Sequence, residues 1–81
     1  MDVRERARIL RQYEIYCFQL SFYLLQDEQL STRATMAALL ELAFDPHFLK
    51  GNREIQKEEA KQIVIRSSLR AMQDANTEVV S

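Results

Sequence analysis

The chain has 81 residues, of which 47% are hydrophobic and 28% are charged, and its formal net charge is −1 at pH 7. So short a chain forms one domain with a modest core, and its composition is that of a folded protein rather than a disordered segment. A net charge so close to zero excludes a global field that draws the protein to nucleic acid or to an acidic membrane, so any such binding must be local.

Glycine and proline each occur once, at Gly51 and Pro46, whereas residues that favour helices are abundant. This composition predicts an all-α fold. The single cysteine, Cys17, excludes an internal disulfide and suits a reducing cytosol. The apolar stretch over residues 15–25 is far shorter than the roughly 20 residues that a bilayer span requires. We therefore expect a cytoplasmic protein without a signal peptide or a membrane helix.

The first predicted helix runs from Asp2 to about Gln26, because apolar residues recur there at steps of three or four. Its predicted buried line is Val3, Ala7, Leu10, Tyr13, Cys17, Leu20 and Leu24. Aromatic residues cover most of its second half, and a small domain has few inward positions for so many rings. Core packing is one interpretation. The other is a protein interface, since aromatic side chains supply large contact areas, and its residues are Tyr16, Phe18, Phe22 and Tyr23.

The second predicted helix has Ser31 as its N-cap and ends near Phe44. Asp45 and Pro46 end it, because a proline disfavours the helical conformation in the residue before it. A loop is expected from Pro46 to Gly51.

The third predicted helix has Asn52 as its cap and reaches about Asp74. The expected domain covers residues 1–75, and residues 76–81 are expected to form a frayed tail. The predicted inward face of the third helix is Ala60, Ile63, Val64, Ser67 and Ala71.

Residues that could carry out catalysis are isolated in this sequence. His47 is expected to be solvated in the loop, without a second metal ligand at helical spacing. Cys17 lies on an apolar stripe without a base to form its thiolate. Adjacent carboxylates, as at 27–28 and 58–59, point in different directions on a helix. We therefore expect no enzyme, no cofactor and no metal site.

Charge patterns are weak evidence of binding in this chain. Arg4, Arg8 and Arg11 follow helical spacing and form one basic line, while the third helix mixes basic and acidic residues. Such patterns are more often solvated faces than phosphate-binding tracks.

The order of the predicted elements corresponds to that of a known family. Tyr13, Tyr16, Leu20 and Phe22 are spaced along the first helix, and residues 24–27 stand where that family has a Leu-Leu-Gly-Asp type turn. Apolar positions of its next helix match Leu39, Leu40 and Leu42, and residues 59–73 occupy the place of the following helix. Over roughly residues 10–73 the chain resembles region 2 of the bacterial sigma-70 family, most nearly the extracytoplasmic-function type.

This resemblance implies a three-helix bundle with a long first helix and a role in transcription. The second helix of the family docks on the clamp coiled coil of RNA polymerase, which implies protein contacts for Arg33 and Met36, where the family has Asp and Gln. The third helix of the family contacts the promoter −10 element, which implies nucleic-acid contacts for Arg66 and Arg70. Region 4, which reads the −35 element, is not expected in so short a chain.

Two functions follow from the sequence. In the first, a sigma region 2-like module acts in transcription by binding RNA polymerase, a partner sigma fragment or promoter DNA. In the second, a helical interaction or structural protein forms a homodimer through its aromatic surface and does not bind DNA. The near-neutral charge and the mixed charges of the third helix favour the second function.

Overall fold

The computed structural model describes the backbone of residues 2–80 and the side chains of residues 2–76. Its helices are α1 (Val3–Leu25), α2 (Glu28–Ala43), α3 (Pro46–Lys50) and α4 (Arg53–Val80). No β-strand occurs in this described part, so the all-α prediction is confirmed. α4 continues beyond its predicted end near Asp74. The tail predicted to fray is helical as far as Val80, and Ser81 lies outside the described residues.

The connection between α1 and α2 has only two residues, Gln26 and Asp27. Gln26 adopts the left-handed conformation, with φ of 54°, and its backbone N–H donates to the carbonyl of Phe22. Asp27 then caps α2, because its Oδ1 accepts from the backbone N–H of Leu30 at 2.8 Å. The prediction of Ser31 as the N-cap is therefore wrong. The helix begins before Ser31, which lies buried inside it.

The predicted loop over Pro46–Gly51 is also wrong, because Pro46–Lys50 form the short helix α3. Asp45 caps α3 by accepting from the backbone N–H of His47 at 3.0 Å, and proline suits the first helical position that follows. The side chain of His47 is exposed, as expected, but it contacts the Glu59 carboxylate rather than only solvent. The predicted cap Asn52 is confirmed, since its Oδ1 accepts from Ile55 N–H at 2.9 Å.

The three long helices pack against one another in pairs, and α3 closes one end of the bundle against α4 and α2. Tyr13 and Phe48 meet edge to face in this closed end, with their ring centroids 5.5 Å apart. The core is a single cluster that joins all four helices, and its buried members are Tyr13, Cys17, Ala38, Leu42, Phe48, Leu49, Ala60, Ile63 and Val64.

Part of the predicted inward line of α1 is exposed. The hydrogen bonds between α1 and α4 join Tyr13 to Gln56 and Ser21 to Ser68, so the two helices run parallel. Their offset of 43 to 47 residues places the start of α4 level with about residue 10 of α1. Val3 and Ala7 therefore lie beyond the start of α4 and are exposed. Leu24, near the other end of α1, is exposed as well.

The end of the bundle away from α3 is packed with small polar side chains. Ser21 of α1, Ser31 of α2 and Ser68 of α4 are completely buried. The Oγ of Ser68 donates to the Oγ of Ser21 at 3.0 Å, which partly offsets the cost of removing both hydroxyls from water. On α4 the predicted inward residue Ser67 is only half-buried, and Ser68 takes the fully buried place.

Candidate functional site

A groove runs between α2 and α4. Its floor is made of the short side chains Ala34 and Ala37 from α2 and Ser67 and Ala71 from α4. Side chains this short do not fill the space between two packed helices, so a groove of about 490 Å³ is left open along them.

Three arginines border this groove, Arg33 from α2 and Arg66 and Arg70 from α4. The sequence assigns Arg33 to a protein contact and the other two to nucleic acid, and the structure places all three on one surface. Arg66 forms an ion pair with Glu41, in which Nη2 lies 2.6 Å from each carboxylate oxygen. Within residues 2–76, Arg33 and Arg70 form no ion pair, so their charges remain available to a partner.

An apolar ridge lies beside the groove on α2. Met36, Leu40 and Phe44 follow one another at steps of four and are 66%, 64% and 71% exposed. We call these three residues the α2 ridge. Leu40 and Phe44 line the groove, while Met36 continues the ridge toward the start of α2. Large exposed apolar side chains that share one face of a small protein mark an interaction surface more often than chance exposure.

The four aromatic residues predicted for an interface on α1 do not form one patch. Tyr16 packs against the core, and the Nζ of Lys57 lies 5.8 Å from its ring centroid. Burial is the largest cause of the raised pKa of the Tyr16 hydroxyl, and the neighbouring Cys17 and Glu58 add to it. Tyr23 is 75% exposed, seven residues further along the same side of the helix. Tyr16 therefore serves mainly the fold, and Tyr23 is available to a partner.

Phe18 and Phe22 lie on a different side of α1. Their rings stack with centroids 6.1 Å apart and an interplanar angle of 22°. Ile15, one turn before Phe18, is 70% exposed and extends this apolar surface. We call Ile15, Phe18 and Phe22 the α1 seam. Ile15 is not among the residues predicted for the interface, although its spacing of three from Phe18 and seven from Phe22 indicates a shared face.

The arginines of the groove are poorly placed for a phosphate track. Glu41 neutralises Arg66 at a distance at which charge-assisted hydrogen bonds form, and Asp74 lines the groove one helical turn after Arg70. A polyanion that approaches Arg70 therefore meets two carboxylates as well. Recognition of a mixed or acidic protein surface suits this charge distribution better than recognition of a DNA backbone.

Reactive groups are enclosed or isolated. Cys17 is completely buried, and burial raises the pKa of its thiol to about 11, so the sulfur stays protonated at neutral pH. No group of three potential metal ligands occurs among the described residues. Over the same part of the chain, none of the helices combines the length and the apolarity needed to cross a membrane.

Comparison with protein-family models gave no match, and neither the curated proteins nor the solved structures contain a significant match to this chain.

Proposed function

We propose that this chain is a sigma region 2-like helical module that acts in transcription by binding a protein partner along α2. The observation that carries the proposal is the α2 ridge, whose three large apolar side chains are exposed on one face of the helix. The resemblance to sigma region 2 assigns binding of RNA polymerase to this same helix. A helix of the polymerase clamp or of a sigma-like protein is accordingly the partner we propose.

The residues that line the groove indicate which kinds of side chain the partner must present. Leu40 and Phe44 offer apolar contact area, and the small floor residues let a bulky side chain enter between α2 and α4. Arg33 and Arg70 stand at the border of the same groove and have no ion pair among the described residues. A matching partner helix presents apolar residues at steps of three or four, flanked by carboxylates.

Promoter DNA is the less favoured ligand of this surface. Of the two arginines that the sequence assigns to nucleic acid, Arg66 is held by Glu41, and Asp74 lines the groove near Arg70. The net charge of the chain adds no attraction for phosphates.

Binding of the full chain to purified bacterial core RNA polymerase tests the proposal. Leu40→Glu places a charge in the apolar contact, and we expect it to weaken binding by about tenfold or more, as interface substitutions at central positions do. Leu69→Glu is the matched control, because Leu69 is an exposed leucine of α4 that does not line the groove. We expect this control to change the affinity less than about twofold.

The DNA alternative is measured in the same series with a labelled −10 promoter duplex. If the chain binds the duplex, and Arg70→Ala weakens that binding and reduces its salt dependence, the ligand is DNA and the proposal of a protein partner is wrong. Absence of polymerase binding by the unaltered chain, or equal effects of the Leu40 and Leu69 substitutions, would also contradict it.

Self-association is a second candidate function, and the α1 seam is the specific observation that favours it. Ile15 and Phe22 are exposed on the side of α1 opposite the buried residues Tyr13, Cys17 and Ser21. This surface belongs to α1 alone and is separate from the α2 ridge.

A further inference from the structure

We infer that two copies of this chain pair through α1 in antiparallel orientation, so that their α1 seams meet and Arg11 of each copy lies beside Glu28 of the other. The inference rests on the second candidate function, self-association, and is independent of partner binding by α2. Three features support this pairing: the spacing of the exposed residues of α1, the order of their charges and the acidic residues at the end of that helix.

The outer face of α1 has the spacing of a coiled coil. Arg4, Arg8, Arg11, Ile15, Phe18 and Phe22 follow one another at alternating steps of four and three. This heptad spacing keeps a line of side chains facing a second helix over several turns. The line lies on the side of α1 opposite its buried residues, so a second helix can approach without disturbing the core.

The charges on this face select the antiparallel orientation. The first half of the line is basic and the second half is apolar. A parallel pair in register sets Arg4, Arg8 and Arg11 against the same residues of the other copy, and like charges that face each other cost affinity. An antiparallel pair that overlaps only at the apolar halves avoids this repulsion and brings Ile15 of one copy opposite Phe22 of the other.

In that register each Arg11 stands opposite Gln26, the residue that ends α1 in the other copy. The carboxylates of Asp27 and Glu28 follow directly. Asp27 already caps α2, whereas the side chain of Glu28 is exposed and has no ion pair within the described part of the chain. Glu28 is therefore the carboxylate that meets Arg11.

The end of α1 provides a second attraction for Arg11. The last carbonyls of a helix carry partial negative charge, and a cation near them is stabilising. α1 has no basic residue in its own last turn. Arg11 of the other copy supplies that missing positive charge in the antiparallel register.

A second copy fits this face because the pattern is complementary to itself. Under a two-fold axis near Phe18, each Arg11 meets the acidic turn of the other copy and each apolar half meets its equivalent. A seam of three apolar residues is smaller than a standard interface of about 800 Å² per partner. We therefore expect a weak dimer, with a dissociation constant on the order of 10 µM to 1 mM.

Sedimentation velocity of the full chain, from 1 µM to 1 mM in about 50 mM salt, tests the inference, since low salt preserves surface electrostatics. We expect Arg11→Glu and Glu28→Arg each to weaken dimerisation by about tenfold or more, because each places like charges together. The double variant Arg11→Glu/Glu28→Arg exchanges the two charges, and we expect it to restore the affinity to within about threefold. Circular dichroism verifies that every variant keeps its helix content.

Arg33→Glu is the matched control, because Arg33 is an exposed arginine on α2 without an ion pair among the described residues. It should leave dimerisation unchanged. A monomer at every concentration overturns both this inference and self-association as a function. A dimer that is indifferent to both charge reversals, or is not restored in the double variant, overturns the antiparallel register and leaves self-association standing. Polymerase binding should be unaffected by Arg11→Glu, so that proposal succeeds or fails separately.

Discussion

A buried polar network centred on Gln56 joins three of the helices. The Tyr13 hydroxyl donates to Oε1 of Gln56 at 2.9 Å, and Nε2 of Gln56 donates to the backbone carbonyl of Phe48 at 3.2 Å. One amide thus connects α1, α4 and α3 with both of its ends bonded. Burial is also the main cause of the raised pKa of Tyr13, which the positive charge of Arg53 partly opposes. A sequence pattern cannot reveal such a network, because Tyr13 and Gln56 are 43 residues apart.

Burial of Cys17 should make the protein less stable at alkaline pH. Its thiol has an ordinary pKa of 9.0 and a pKa of about 11 in the folded protein, because burial disfavours the thiolate. Above pH 9 the unfolded chain loses this proton while the folded chain keeps it. The free energy of unfolding should therefore fall as the pH rises from 9 toward 11.

Urea denaturation at several pH values between 7 and 10.5 measures this effect. Tyr13 and Tyr16 contribute in the same direction, since the pKa of each is also raised. The Cys17→Ala variant retains both tyrosines, so the difference between its slope and that of the unaltered chain reports the thiol together with its effect on the pKa of Tyr16. Identical slopes would show that Cys17 does not titrate as burial requires.

At the scale of elements, the dipeptide Asp45-Pro46 both ends α2 and begins α3. Asp45-Pro46 ends α2, as the sequence analysis predicts, but an aspartate followed by proline is also the signature of a helix start. The five residues of α3 are too few to show an apolar period, so the pattern favours a loop. Burial of Phe48 and Leu49 against the long helices stabilises this short helix.

Phe48 and Phe44 form a matched pair that tests the role of α3. Phe48 is completely buried, and we expect Phe48→Ala to reduce the free energy of unfolding by about 3–5 kcal/mol. Phe44 is mostly exposed on the α2 ridge, and we expect Phe44→Ala to change it by about 0.5 kcal/mol or less. Thermal or urea unfolding of both variants provides the comparison. Similar losses in the two variants would mean that α3 does not close the core.

At the scale of the whole molecule, the bundle is long and unevenly packed, with extents of 43 × 20 × 17 Å. Large apolar side chains such as Phe48 and Leu42 are completely buried toward the end that α3 closes. At the other end the buried positions of the helices include Ser21 and Ser68, which remove little apolar surface from water. Local stability should follow this difference, because regions with few buried apolar contacts open more readily.

Hydrogen exchange within α4 tests this gradient. Residues 60–64 face the apolar core, residues 67–71 face the serine-rich end, and both segments lie well inside the helix. We expect the amides of residues 67–71 to exchange faster by at least about tenfold, which corresponds to roughly 1.4 kcal/mol in opening free energy. NMR at two protein concentrations separates this gradient from any protection by dimerisation. Equal protection of the two segments would contradict it.

The sequence by itself determined the class of the fold and the approximate position of the long helices. Apolar spacing of three and four residues is a local property, so it predicted α1 and α4 and most of the inward residues of α4. Asn52 was also predictable as a cap, because capping acts over three residues.

Only the tertiary structure decided which side chains remain exposed and which share a surface. The offset between α1 and α4 exposes Val3 and Ala7, although both follow the apolar period. The short residues that α2 and α4 present to each other open the groove, and Arg33, Arg66 and Arg70 all border it. These arrangements depend on how distant segments meet, and the period of a single helix contains no information about the position of its neighbours.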